Sequence, residues 1–370
     1  MMARDASSLQ EPASCQCEGD SVRVFVEGDA LYGAMRADIA TARQTIDLEA
    51  YILGDDAVGR AIVAALCERS AAGVRVRVGL DAFGSLPLAN SPLTKELRDA
   101  GVRLHWHHGW SWRHPWHVHR RNHRKLLVLD RQCAYLGGFN LRADSSQDST
   151  GSGRWRDTHV RIEGPFAAQA QAAFDAFWNG DLLWQPSQVG PNLLMTNASH
   201  PARHHLRVAL HTACLQARQR IWATTPYFVP DRRLRTELAG AARRGVDVRI
   251  LVPRHSDVRL VQWASRSAYR ALLHAGVRVF EYRPRVLHAK TMVVDDSWCT
   301  VGTANLDYRS FNLNVEINLV SRCIALTELL AAQFAFDMTR SELVDPALWH
   351  KRPGWRSALE AVAWRLRRWL

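Results

Sequence analysis

Long apolar runs are missing from this 370-residue chain: no stretch approaches the ~20 apolar residues that span a bilayer as a helix. A membrane-crossing helix is therefore not expected. The N-terminal stretch MMARDASSLQEPASCQCEGD also lacks the apolar core of a signal peptide, so neither a secretion signal nor a lipoprotein anchor is expected. Cysteine is sparse and odd in number, seven residues scattered along the chain. That pattern argues for a reducing compartment rather than a disulfide framework. Cys15 and Cys17 form a C-x-C with no further ligand pair beside it, so no metal site is expected there. Acidic residues are outnumbered, 36 against 48 Lys and Arg, for a net charge of +12 and a pI near 9.9. Such a surplus suits a polyanion, either nucleic acid or an anionic membrane surface, and charge alone does not separate the two.

What is present is a repeat. The pattern His-x-Lys-x4-Asp-x6-Gly-(Gly/Thr)-x-Asn occurs twice, 165 residues apart. The first copy is His123, Lys125, Asp130, Gly137, Gly138, Asn140; the second is His288, Lys290, Asp295, Gly302, Thr303, Asn305. On a strand, His and Lys at i and i+2 share one face, whereas Asp, five residues after Lys, falls on the other. Asp130 and Asp295 complete the motif and are counted with it, but their placement suits structural hydrogen bonds. Two units face to face would gather two imidazoles, two ammoniums and two carboxamides around one cavity. One imidazole can attack while the other carries a proton. Lys and Asn are donors suited to oxygens gaining negative charge. The set fits a phosphodiester and calls for no metal or other cofactor.

The duplicated motif resembles that of the phospholipase D superfamily, over roughly residues 20 to 345. Further segments are similar to the bacterial cardiolipin synthases: Tyr51-Ile52, Arg121 to Lys125, Trp155-Arg156-Asp157, Thr225 to Asp231, Arg243 to Val248 and Gly302 to Glu316. The resemblance implies catalysis by His123, Lys125, Asp130, His288, Lys290 and Asp295, with Asn140 and Asn305 at the phosphate. It also implies carboxylates that hold the histidines, Glu316 and its first-half counterpart Asp157; Ser310 is a further candidate phosphate contact. By the same resemblance His123 is the nucleophile; the internal symmetry itself does not choose. The implied reaction is a phosphatidyl transfer from phosphatidylglycerol to a second phosphatidylglycerol, or another phospholipid, through a phosphatidyl-histidine. A lipid hydrolase, a nuclease of the same superfamily and a catalytically silent lipid-binding module are the alternatives.

The repeat extends beyond the motifs. Residues 46–80 parallel 220–253, each reading as strand, turn, amphipathic helix and β-branched strand. LRDAGVRLHWH (97–107) and LLHAGVRVFEY (272–282) follow as helix end, Gly cap, strand. This order predicts an α/β fold: two α/β/α sandwich halves related by a pseudo-twofold axis, with the active site at their interface. The expected division is a flexible 1–20, domains at 21–185 and 204–345, a linker at 186–203 and a basic amphipathic tail at 346–370.

Two segments point to a lipid surface. Gly101 to His123 spans 22 residues but Gly276 to His288 only 12, and the excess falls in HHGWSWRHPWHVHRR (107–121). Trp110, Trp112 and Trp116, interleaved there with His and Arg, suit the headgroup zone. In GWRSALEAVAWRLRRWL (354–370), Trp355, Leu359, Val362, Leu366 and Trp369 form one helical stripe flanked by arginines. That is the design of an interfacial anchor, with a helix docked on the core as the alternative. An anionic phospholipid membrane is thus the expected partner, nucleic acid is not expected, and the expected location is peripheral, on the cytoplasmic side of the cell membrane. The sequence does not give an oligomeric state.

Overall fold

The structure is a computed structural model and describes residues 10–109, 119–186 and 190–367. Trp110, Trp112, Trp116 and Trp369 lie outside the described residues. The first half contains β1 (Ala13–Cys17), β2 (Asp20–Phe25), β3 (Thr45–Ala50), β4 (Arg75–Asp81), β5 (Arg103–His107), β6 (Leu126–Leu129), β7 (Cys133–Gly137) and β8 (His159–Glu163). The second contains β9 (Asn192–Thr196), β10 (Arg220–Thr224), β11 (Asp247–Pro253), β12 (Arg278–Tyr282), β13 (Thr291–Val294), β14 (Trp298–Gly302), β15 (Ile317–Ser321) and β16 (Ser341–Leu343).

Each half is one sheet, in the orders β1-β2-β8-β7-β6-β3-β4-β5 and β16-β12-β11-β10-β13-β14-β15-β9. Aligned on their motifs, the two orders coincide for seven strands; β1 and β16 are the additions, on opposite edges. The β3-β4-β5 and β10-β11-β12 runs are parallel, as strand–helix–strand order requires, while the motif strands β6 and β13 join them antiparallel. Antiparallel insertion brings the start of each motif strand to the end at which the parallel strands finish. That end carries the site.

Local chemistry explains the repeated turns. Asp56 and Asp231 cap their helices by accepting from backbone N–H groups of the first turn. Gly101 and Gly276 close the equivalent later helices at φ +83° and +92°, where a Cβ would be strained. The two sheets share a central core in which Leu126, Val128 and Leu136 meet Val293, Val301 and Leu319 beneath the site. The helices Pro165–Trp178 and Ile324–Thr339 contribute Phe174 and Leu330 to that core. Outer helices cover the other face of each sheet, giving two further apolar clusters.

Several expectations from sequence are corrected here. Residues 13–17, within the segment expected to be flexible, form β1, and 192–196, within the expected linker, form β9. Both are edge strands whose pairing, rather than their composition, orders them: β1 on β2 and β9 on β15. The helix starting at His200 opens inside the same expected linker, capped by Ser199 accepting from Ala202 N–H. The cysteine count was also misleading. Cys17 and Cys323, 306 positions apart, form a disulfide that ties the first half's edge to the end of β15. Cys15 Sγ lies 3.9 Å from Cys17 Sγ, so the C-x-C does gain a third sulfur, from Cys323. The cysteines therefore no longer support a reducing compartment, nor the cytoplasmic face. No helix among the described residues is long and apolar enough to cross a membrane.

Candidate active site

Each motif histidine is held by the opposite half. His123 N–H donates to Val315 O at 2.9 Å, and Arg121 O accepts from Val315 N–H at 2.8 Å, so the segment before His123 pairs with the segment before Glu316. His288 N–H likewise donates to Arg156 O at 2.7 Å, beside Asp157. These two short crossings set the side chains. His123 Nδ1 lies 2.8 Å from Glu316 Oε2, and His288 Nδ1 lies 2.5 Å from Asp157 Oδ2. With Nδ1 engaged in each ring, Nε2 is the atom left for chemistry.

The supporting groups differ between the pairs. Glu316 also accepts from the Ser310 hydroxyl at 2.8 Å and Asn314 Nδ2 at 3.3 Å, and Asn197 Oδ1 accepts from its N–H at 2.6 Å. Ser310 is thus committed to the carboxylate rather than aimed at a phosphate. Asp157 accepts from Thr158 N–H at 2.7 Å and lies 3.9 Å from Lys290 Nζ. An added Cβ at Gly138 would stand 2.0 Å from Asp157 Oδ1, which explains why the first copy has Gly-Gly where the second has Gly-Thr.

All the central groups are buried: both histidines, both lysines, both asparagines, Asp157 and Glu316. Burial dominates the electrostatics. It lowers His123 well below its ordinary value, with Lys125, Lys290 and His288 acting in the same direction. It lowers His288 too, helped by Lys290 and opposed by Asp157. Lys125 is pushed down to about 7 by burial and by Lys290, and Lys290 is lowered by burial. The carboxyls diverge. Burial pushes Glu316 up to about 7, whereas at Asp157 the opposing charges of Lys290 and His288 outweigh burial and hold it below the usual range. The Oδ1 atoms of Asn140 and Asn305 are buried and have no hydrogen-bond partner in the protein. The Nδ2 group of each, not this oxygen, is the donor that a phosphate oxygen could take.

Asp130 and Asp295 lie at the far ends of β6 and β13. Asp130 accepts from the N–H groups of Arg43, Gln44 and Thr45 at 2.7–2.8 Å. Asp295 accepts from those of Arg218, Gln219 and Arg220 at 2.8–3.2 Å. They tie the motif strand to the start of its neighbour and stand apart from the imidazoles.

Two aromatics complete the walls. The Tyr51 ring meets His123 edge-on at 4.9 Å between centroids, with Lys125 Nζ 5.2 Å from the same ring, and Trp155 lies 5.2 Å from His288. Neither aromatic carries a role in the duplicated motif itself. Their adjacency to segments shared with relatives was the available signal.

A family model described as cardiolipin synthase, PLD-like domain, matches residues 35–178 and 210–338. The chain belongs to this family. Among cardiolipin synthase relatives, cardiolipin synthase A of Pseudomonas putida (strain W619) is 37% identical over 315 residues, 82% of this chain and 65% of that protein. The cardiolipin synthase of Geobacillus sp. (strain WCH70) is 35% identical over 367 residues, covering 92% of this chain and 70% of its own length. The chain therefore spans about two thirds of these relatives. The fold is also that of phosphatidylserine synthase from Haemophilus influenzae Rd KW20, at a TM-score of 0.73, 14% identity and coverage of 98% of this chain and 96% of that one. Among the described residues, the one group of three side chains close enough to share a metal is Cys15, Cys17 and Cys323, away from the motif residues, and two of its sulfurs are already joined in the disulfide.

Proposed function

We propose that this chain is a phosphatidyltransferase of the cardiolipin synthase type, joining two phosphatidylglycerol molecules and releasing glycerol at the surface of the cell membrane. The observation that carries this reading is the crossed arrangement of two histidine–carboxylate pairs around one buried cleft. In the first displacement His123 Nε2 attacks the donor phosphorus and the phosphorus–oxygen bond to the terminal glycerol breaks. His288 Nε2 gives its proton to the departing oxygen. A phosphatidyl group is then bonded to His123. In the second displacement His288 takes the proton of the acceptor hydroxyl, whose oxygen attacks phosphorus and breaks the nitrogen–phosphorus bond. Reusing one proton carrier in both directions satisfies reversibility.

The division of labour follows from the carboxyls. Imidazolium is favoured beside an ionised carboxylate, and Asp157, held ionised, opposes the burial and the Lys290 charge that lower His288, which supports His288 as the proton carrier. Glu316, raised to about 7, draws less positive charge onto His123, which burial and two lysines keep neutral and nucleophilic. Lys125, Lys290, Asn140 and Asn305 hold the nonbridging oxygens. Incubation of the purified protein with labelled phosphatidylglycerol, alone and with phosphatidylethanolamine, tests the reading. Cardiolipin and free glycerol are expected. Phosphatidic acid as the main product, with water as acceptor, would make the protein a lipid hydrolase instead.

A further inference from the structure

Two exposed apolar loops occupy equivalent positions in the two halves, after β4 and after β11. In the first half the loop after β4 exposes Phe83 and Leu86, 59% and 57% accessible. In the second, the segment after β11 exposes Val258 and Leu260, 39% and 43% accessible. Neither pair is scattered chance. Asp81 Oδ1 accepts from the N–H groups of Phe83 and Gly84 at 3.1 and 2.9 Å, and the Ser85 hydroxyl donates to Tyr51 O at 3.0 Å. A Cβ at Gly84 would stand 2.3 Å from Tyr51 O, so the loop lies against the residue whose ring meets His123. On the other side the Tyr227 hydroxyl donates to Asp257 at 2.6 Å, and Asp257 is close enough for its charge to bear on His288. The two exposed apolar pairs therefore adjoin Tyr51 and Asp257, the residues that link them to His123 and His288.

The surroundings are cationic. The Arg121 guanidinium lies 4.2 Å above the Phe83 ring, Arg120 and Arg259 are exposed, and Asp257 is the exposed acid among them. The helix Gly354–Leu366 brings its C-terminal end to the same side, with Ala363 and Trp364 packed on Val261 and Ala264 and with Val362 and Leu366 exposed. Apolar side chains projecting among arginines describe a surface that enters the headgroup layer of an anionic bilayer.

We infer that Phe83 with Leu86 and Val258 with Leu260 are two membrane-inserting prongs that seat the cleft mouth on an anionic bilayer, so that lipid enters the site directly from it. This inference rests on the phosphatidyltransferase reading for its substrate, but not for its binding surface. The test uses the full chain and vesicles of phosphatidylglycerol in phosphatidylcholine, comparing Phe83→Asp/Leu86→Asp, Val258→Asp/Leu260→Asp and the conservative Phe83→Trp. Each Asp pair should weaken vesicle sedimentation by about tenfold or more and lower turnover of vesicle lipid in parallel. Turnover of monomeric short-chain phosphatidylglycerol should stay within about twofold, and Phe83→Trp should retain vesicle binding. Unchanged sedimentation of both Asp pairs would overturn the proposal, as would loss of short-chain turnover with sedimentation intact. If no variant and no wild-type protein turns over either lipid, the phosphatidyltransferase reading fails, while sedimentation still decides the surface.

Discussion

The pair in which His123 faces Glu316 and the pair in which His288 faces Asp157 occupy equivalent places in the two halves, yet their carboxyls behave oppositely. Burial pushes Glu316 up to about 7 against the hydroxyl and amide donors around it, while at Asp157 the charges of Lys290 and His288 outweigh burial and keep it ionised. Duplication built a symmetric frame, and the symmetry of charge is broken by burial, which wins at Glu316, and by the neighbouring cations, which win at Asp157. A two-step displacement needs that break, because one imidazole must be neutral when the other is protonated. Glu316 and Asp157 also lie on the half opposite to the histidine they serve, so neither half alone holds a complete pair.

The largest effects should come from the rings themselves. Alanine at His123 or at His288 is expected to lower steady-state transfer by about 10^4-fold or more, read by cardiolipin formation. The carboxyl replacements sharpen the comparison. Asp157→Asn should lower turnover by about 10^3-fold or more, because an amide cannot stabilise the imidazolium of His288. Glu316→Gln should cost less, about 10- to 100-fold, since burial already weakens the charge of Glu316 and an amide oxygen can still accept from His123 Nδ1–H. Equal losses at the two sites would remove the asymmetry on which the assignment of roles rests.

Protonation can be followed through stability as well. Lys125 falls from 10.5 to about 7 in the folded protein, so between those values the unfolded chain binds the proton that the folded chain has released. Stability from this group therefore rises with pH across that window, and Lys125→Met should flatten the rise in denaturant midpoints measured from pH 7 to 10. A slope identical in the variant would show that Lys125 keeps its proton when folded.

Much of this site was legible in the sequence, and the parts that were not share a cause. The identical spacings of the two copies identify the histidines, lysines and asparagines, and the five-residue offset puts Asp130 and Asp295 on the other side of the strand. Which carboxyl serves which histidine depends on two isolated bridges, at Asn122–Val315 and Arg156–Leu287, that form when the sheets meet. The same holds for Cys17 with Cys323, and for β1 and β9, whose order comes from a neighbouring strand. Position 310 also misleads when read alone, because a serine beside a phosphate site and a serine behind a glutamate have the same sequence. The terminal helix joins the features of an anchor and of a docked element. Glu360 and Ala363 are buried while Trp355, Leu359, Val362 and Leu366 remain exposed.

Asp130 and Asp295 offer a comparison in which the halves should agree. Each holds three backbone N–H groups, so Asp130→Asn and Asp295→Asn should each lower stability by about 1–3 kcal/mol in denaturant unfolding. Turnover of correctly folded protein should change by less than about tenfold, far below the histidine effects. A loss as large as that of His288→Ala, with stability unchanged, would make either aspartate a participant in the reaction. The smallest effect expected is from chelation. Exhaustive removal of divalent ions should leave transfer unchanged with vesicle aggregation controlled, and recovery of a lost activity by one specific ion would contradict the two-histidine mechanism.

The most direct measurement is of the covalent intermediate. A phosphatidyl donor with a good leaving group needs no acid for the first displacement, so His288→Ala should accumulate a phosphatidyl adduct that cannot be passed on efficiently. Peptide mass mapping is expected to find it on residue 123, and to find none on residue 288 when His123→Ala is treated in the same way. An adduct on residue 288 of the His123→Ala protein, with none on residue 123 of His288→Ala, would reverse the roles drawn from Glu316 and Asp157.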